Sequence, residues 1–340
     1  MAKAVKLADI AKPLGVSVVT VSKALSGQKG VSDEMRAKIV ELADKLGYVQ
    51  PSAAKREQIS RSHNIGVLIQ EDYIEQSASF YWNLYQQVAR ITVEAGSFTM
   101  MEVITRRMEE EILLPRLLLE QKVDGLLIIG PVSENYLIAL NAQATPLMYL
   151  DFADRERGSD AVISDSFYGA ALMTDYLIAN GHRKIGFVGT VLATNAITDR
   201  YLGYVKSLME HGLEPKPEWV IDDRAQTGGG IEADRYLQLP KDLPTAFFCN
   251  CDLTGGLLIR KLESVGLRVP EDVSIVGFDN YIYPGICDIE ITSYDVNATE
   301  MAQTAVDHLL AKIEERPYRK GQVMIEGCLV EKDSVRKLKK

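Results

Sequence analysis

Cys249 and Cys251 stand one residue apart in "FFCNCD", a spacing that could hold a metal or exchange a disulfide. No second pair and no nearby histidine completes such a site, and Cys287 and Cys328 stand apart from it, so buried or idle thiols are the better reading. The four histidines show no HExxH or other ligand spacing, and no GxSxG nucleophile turn occurs. No catalytic residue and no metal is therefore expected. The glycine run Gly228 to Gly230 in "TGGGIEA" lies far from the first strand pattern and lacks GxGxxG spacing, which argues against a nucleotide-dependent oxidoreductase; no cofactor is expected. A different chemistry is offered by "GVSVVTVSKAL", residues 15 to 25, where Ser17, Thr20, Ser22 and Lys23 alternate with valines. Small hydroxyls and a lysine on one short surface suit hydrogen bonds to base edges and phosphates.

The element that positions these groups is a helix. As a strand the stretch fails, because its polar residues break the alternation that one buried face requires. As a helix it works: Val18, Val21 and Leu25 recur at three- and four-residue spacing, Val19, Ser22 and Lys23 share the opposite face, and Ser17 stands at the N-cap. Upstream, "LADIAKPLG" carries a second stripe in Leu7, Ile10, Ala11 and Leu14, ended by Gly15. Two short helices across a tight turn make the helix-turn-helix geometry, in which the second helix enters the major groove. An ordinary helical pair fits the same residues. A third helix follows in "VSDEMRAKIVELADKLGY", with Ser32 as cap, Val31, Met35, Ile39, Leu42 and Leu46 as its stripe, and Gly47 as its stop.

Charge distribution favours the DNA reading. The chain of 340 residues carries a net −9, yet residues 1 to 61 hold eleven Lys or Arg against six Asp or Glu, a net of +5. A small basic head on an acidic body is the footprint of a protein that grips phosphates with one end. Composition, 46% apolar and 25% charged, is ordinary for a globular chain, and no apolar run reaches membrane-spanning length. "MAKAVKLADIAK" has no secretory apolar core, so a cytoplasmic location without membrane contact is expected.

"VQPSAAKREQISRSHN" reads as a linker. From residue 64 the texture changes to short aliphatic runs, "NIGVLIQ", "FTMMEVI", "VDGLLIIG", "TPLMYLD", "AVISD", "RKIGFVGT", "TAFFCN" and "VSIVGFDN", separated by amphipathic segments such as "FYWNLYQQVARITVEAG" and "FYGAALMTDYLIANGH". Buried parallel strands with helical crossovers read this way, and the strands suffice for two doubly wound sheets. The expected division is a helix-turn-helix head at 1 to 50, a hinge at 51 to 62, and a core at 63 to 340. Within the core, lobe 1 spans about 63 to 163 with a returning segment at about 291 to 325, and lobe 2 about 164 to 290.

Taken together, "LADIAKPLGVSVVTVSKALSGQKGVSDEMRAKIVELADKLGY", "IGVLI", "VDGLLIIG", "GHRKIGFVG", "TDRYLGY", "PTAFFCNCD" and "RVPEDVSIVGFDN" resemble, in order and over nearly the whole chain, the lactose/galactose repressor family of bacterial transcription regulators. The resemblance implies a small all-α head joined to a periplasmic-binding-protein-like α/β core of two lobes. It also implies a homodimer on a pseudo-palindromic operator, a small effector between the lobes, and repression of carbohydrate-utilisation genes. A sugar-binding protein of a transporter shares the core, but would carry a signal peptide and no basic head.

Carried over by position, Val18 and Val19 occupy the family's main base-reading positions, where valine can contact only thymine methyls. Of the two, Val18 fits a core role better. Thr20, Ser22 and Lys23 remain for bases or phosphates, and Lys23, Lys29 and Lys55 supply the phosphate attraction. Pro13 replaces a basic residue near the end of the first helix, which should end early or kink there. The hinge keeps Ala54 and Lys55, but Pro51 replaces its first asparagine. Glu57 replaces the leucine wedge, and a carboxylate cannot unstack a base step. The family's effector ligands map onto Arg200 and Asp279, a fork and an acceptor that suit vicinal sugar hydroxyls or simply pair with each other. Phe80 and Tyr81, with Trp82 beside them, match paired aromatics that stack on sugars, or serve as core. The family asparagine aligns with Cys251 and its aspartate with Asp252; Asn250, one position early, is the substitute candidate. Asp165 reads as a helix cap.

Overall fold

The computed structural model describes residues 6–25, 30–46, 48, 63–74, 79–154, 158–226 and 229–338. These fall into two compact units, Met1–Ser62 and His63–Lys340.

In the first unit, α1 (Leu7–Ala11), α2 (Val18–Leu25) and α3 (Asp33–Leu46) enclose a small core of Ile10, Ala11, Val21, Ala24, Ile39 and Ala43. α1 stops just short of Pro13, as the missing backbone donor and ring require. The Oγ of Ser17 accepts from the Thr20 amide at 3.0 Å and so starts α2. Arg36 on α3 donates to the Ala24 carbonyl at 2.7 Å, tying α3 to the end of α2. Two expected core positions are displaced. Val18 is 44% exposed and Leu46 39%, because Val21 and Ala24 form the buried edge of α2 and α3 buries Ile39 and Ala43.

The second unit holds two parallel sheets. In chain order, β1 (Asn64–Gln70), α4 (Phe80–Glu94), β2 (Phe98–Ile104), α5 (Arg106–Glu110), α6 (Arg116–Leu119), β3 (Gly125–Ile129), α7 (Glu134–Asn141), β4 (Leu147–Leu150) and β5 (Ala161–Ser164) build lobe 1. Then α8 (Ser166–Ala179), β6 (Ile185–Val188), α9 (Asn195–Glu210), β7 (Val220–Ile221), α10 (Ala233–Tyr236), β8 (Ala246–Cys249), α11 (Asp252–Ser264), β9 (Ser274–Phe278) and β10 (Thr292–Asp295) build lobe 2. The sheets order as β11-β5-β4-β3-β1-β2 and β12-β10-β9-β8-β6-β7, where β11 is Gln322–Ile325 and β12 is Cys328–Val330. Every pairing is parallel except β10 with β12. Eight strands coincide with the aliphatic runs of the sequence; seven of them are nearly continuously buried and need no alternation, while β2, at the sheet edge, leaves Phe98 and Met100 exposed. β7, β10, β11 and β12 were not legible: β7 and β12 are only two and three residues long, and β10 and β11 mix polar with apolar side chains.

The chain passes between the lobes three times. It leaves lobe 1 after β5, returns after β10, and crosses again between β11 and β12. The returning segment expected at 291 to 325 therefore begins later, since β10 pairs with β9 in the second sheet and α12 (Ala298–Ile313) is the first element back on lobe 1. Asp165 caps α8, accepting from the Tyr168 amide at 2.9 Å. α8 and α9 approach closely because Gly203 has no side chain: a Cβ there would stand 2.2 Å from the Phe167 carbonyl oxygen. Each sheet reverses its winding beside its first strand, between β1 and β3 and between β6 and β8. At such points the carboxyl ends of strands diverge and leave room for a ligand.

Candidate binding sites

On the head, the exposed side of α2 carries Val18, Val19, Ser22 and Lys23, with Val19 63% exposed. Both valines face solvent, so the core role, the alternative that fitted Val18 better than Val19, does not hold for either. Thr20 is partly buried and its hydroxyl meets that of Ser17 at 2.9 Å. Two apolar side chains on an open helix face, backed by a compact core, are unexplained by folding and suit methyl contacts in a groove. Lys29, Ala54, Lys55 and Glu57 lie outside the described residues.

In the second unit the strand ends of both lobes frame a cavity of about 560 Å³. All five residues expected there line it: Phe80, Tyr81, Arg200, Asn250 and Asp279. Phe80 and Tyr81 open α4 after its Ser79 cap, which accepts from the Trp82 amide at 3.1 Å. Tyr81 packs 4.7 Å from Tyr73, over Gly130, where a Cβ would stand 3.1 Å from the Tyr81 ring. Trp82 turns instead to Tyr85, at 5.3 Å.

Arg200, on α9, is 5% exposed. It donates to the Asn250 carbonyl at 2.6 Å and to the Ser166 hydroxyl at 3.3 Å, lies 3.8 Å above the Phe278 ring, and faces Asp279 at 3.5 Å. The fork is therefore held by several partners and pairs loosely with the carboxylate, both at the cavity wall. Asp279 follows β9 at φ +90°, a left-handed backbone that re-aims its side chain into the cavity. Burial pushes its carboxyl above the ordinary value, while Arg200 pulls it down.

Asn250 is more a structural member than a contact. Its amide donates to the Val188 carbonyl at 3.0 Å and to Asp223 at 2.7 Å, and the side chain is 1% exposed. Asp252 is turned away, accepting from Ser293 at 2.8 Å and from the Tyr281 amide at 2.9 Å. Burial pushes the Cys249 thiol far up and the Cys251 thiol to about 11, so neither is a thiolate at neutral pH. Among the described residues no group of three or more His, Cys, Asp or Glu could hold a metal.

The cavity also recruits residues that sequence reasoning missed: Asp72 and Tyr73 after β1, Arg106, Asp151, Arg224 and Tyr283. Asp151 could have been found, since it stands directly at the end of the aliphatic run "TPLMYL". Arg224 could not, because the strand before it is two residues long. Burial raises the Asp151 carboxyl from 3.8 to about 7, against the pull of Arg200 and Tyr81 and helped by Asp279. A folded-state value above the unfolded one means that the neutral form stabilises the fold below about pH 4, and that this contribution is lost as the pH climbs towards 7. The thermal midpoint should therefore fall between pH 5 and pH 7.5 more steeply for the native chain than for Asp151→Asn. Parallel curves would show that Asp151 is not buried in this way.

Residues 6–51 match the model of bacterial regulatory proteins, lacI family, and residues 174–335 that of the periplasmic binding protein-like domain. The HTH-type transcriptional repressor PurR of Aliivibrio salmonicida is 28% identical over 97% of this chain and 98% of its own length. The protein of the same name from Glaesserella parasuis is 28% identical over 90% and 89%. Among solved structures, the lac repressor dimer bound to operator and the anti-inducer ONPF superposes with a TM-score of 0.65 at 22% identity, covering 98% of this chain and 100% of that one. The complex of the transcriptional regulator CelR with cellobiose gives 0.66 at 22% identity, covering 97% and 99%.

Proposed function

Since the chain belongs to the lacI family of bacterial regulatory proteins, we propose that it acts as a homodimeric repressor of carbohydrate-utilisation genes, working in the cytoplasm on operator DNA and controlled by a sugar-like effector in the inter-lobe cavity. The observation that carries this reading is the cavity itself. Tyr73 and Tyr81 offer ring faces, while Arg200 and Asp279 offer a donor fork and an acceptor 3.5 Å apart, the complement of adjacent hydroxyls on an apolar-faced ring. A ligand that draws the lobes together changes the preferred state of the core, and operator affinity follows if only one state holds two heads at half-site spacing.

The test is an operator titration by fluorescence anisotropy with and without sugars, both neutral and anionic, beside a sedimentation measurement of mass. A dimer that prefers one pseudo-palindrome and shifts its affinity at least tenfold with one sugar is the expected result. A monomer, or a sugar-insensitive binder, would overturn the reading.

Two residues refine the DNA side. Val19→Ala removes an exposed methyl contact worth about 1 kcal/mol, so operator affinity should fall roughly fivefold with the melting temperature of the head unchanged. Unaltered affinity would place Val19 away from the groove. At the hinge, Glu57→Leu restores an apolar wedge and removes a charge that phosphates repel; operator binding should tighten and DNA bending increase, as gel mobility of permuted sites would show. Weaker binding with unchanged bending would mean that residue 57 does not meet the minor groove.

A further inference from the structure

Behind the cavity wall the structure buries a charge that stability does not call for. Asp223, fully enclosed, accepts from the Thr190 amide at 3.1 Å, the Asn250 amide at 2.7 Å and the Thr254 hydroxyl at 2.9 Å. It also grips Arg224 in a fork, accepting from Nε at 3.0 Å and Nη2 at 2.9 Å. A buried ion pair is a poor source of stability, since desolvation consumes most of its attraction. What this one achieves is to fix a guanidinium in the cavity wall.

Its remaining edge is thinly used. Among the described residues Nη1 meets only the Gly229 carbonyl, at 3.4 Å, and Nη2 reaches Asn250 Oδ1 at 3.5 Å, both at the limit of hydrogen bonding. Gly229 and Gly230 add no side chains beside it: a Cβ at Gly230 would meet open space, and one at Gly229 would meet the Asp72 carboxylate oxygen at 3.9 Å. The carboxylates lining this part are engaged elsewhere: Asp72 with Arg106 at 2.6 Å and with Gln70, and Glu232 with Arg235 at 3.4 Å. The Arg200 and Asp279 side of the cavity offers both donor and acceptor, as hydroxyls require. The Arg224 side offers donors.

We propose that Arg224, held by Asp223, is a specificity-determining residue that reads an anionic group on the effector, so that the ligand is a sugar acid or sugar phosphate and not a neutral sugar. This rests on the sugar-effector reading above. The anionic group accepts from the Nη1 edge of Arg224 while ring hydroxyls meet Arg200 and Asp279.

The experiment is calorimetric titration of the full chain with D-glucose and D-galactose, with D-gluconate and D-glucuronate, with D-glucose 6-phosphate, and with inorganic phosphate alone. A charge-assisted hydrogen bond predicts that one acidic sugar binds at least about tenfold more tightly than its neutral counterpart. The arm that wins, carboxylate or phosphate, names the group. Arg224→Gln should reduce the ratio of acidic-sugar to neutral-sugar affinity to near unity, whatever the change in neutral-sugar affinity itself. Arg224→Lys, which keeps the charge beside Asp223, should retain the fold and part of the preference. Neutral sugars binding as well as acidic ones, or a preference that survives Arg224→Gln, would overturn the inference and leave the sugar reading intact. Inorganic phosphate binding as tightly as any sugar acid would reduce Arg224 to an anion contact and overturn it also. If no sugar of either kind binds, the effector reading fails with it.

Discussion

Arg200→Ala should abolish the effector response and loosen the core at once. The guanidinium is 5% exposed and joins four partners: the Asn250 carbonyl, the Ser166 hydroxyl, the Phe278 ring and Asp279. Truncation takes from Asp279 the larger of its two opposing charges, leaving Arg224, in a site where burial already pushes its carboxyl up. Losing one member of a buried pair costs about 3 to 5 kcal/mol, enough to lower the melting temperature of the core by many degrees. The operator-binding surface belongs to a separate unit, so DNA affinity in the absence of effector should change little. Two assays decide it: an operator titration across effector concentration, and differential scanning calorimetry. A variant that responds at unchanged effector concentration would show that Arg200 holds the lobe and does not contact the ligand.

Val21→Asp is expected to do the opposite, removing DNA binding and sparing the core. Val21 is fully buried against Ile10, Ala11 and Ile39 in a unit whose whole core is a handful of aliphatic side chains. A carboxylate placed there has no partner, and burying it costs several kcal/mol, on the order of the entire stability of so small a fold. Operator affinity should fall at least a hundredfold, while calorimetric titration with the effector gives an unchanged constant. If specific binding persists, α2 does not sit on the core of the head as described. Should effector binding be lost as well, the two units do not fold independently.

Much of this architecture is legible without coordinates because its signals are local. The head announces itself through Ser17 at a cap, Gly15 at a turn and valines at helical spacing, and the central strands through aliphatic runs that parallel burial makes continuous. Arg200 and Asp279 came from the family resemblance, carried on "TDRYLGY" and "VGFDN", and not from periodicity. Short strands were lost, because β7, β10 and β12 draw their stability from a neighbouring strand, not from their own two to four residues.

The outward face of α2, the hydrogen bonds of Asn250 and the wall formed by Asp223 and Arg224 are visible only in three dimensions. Val18 and Val21 are equally apolar in sequence, and only the angle at which α1 and α3 pack decides which of them is buried. Asn250 reads as a ligand until its amide is seen spent on Val188 and Asp223. Arg224 lies 26 positions from Asn250, and no pattern in the chain relates them. Periodicity records which face of an element is buried; the meeting of strand ends from two lobes depends on how the sheets are ordered, and that order sets which polar groups share one cavity.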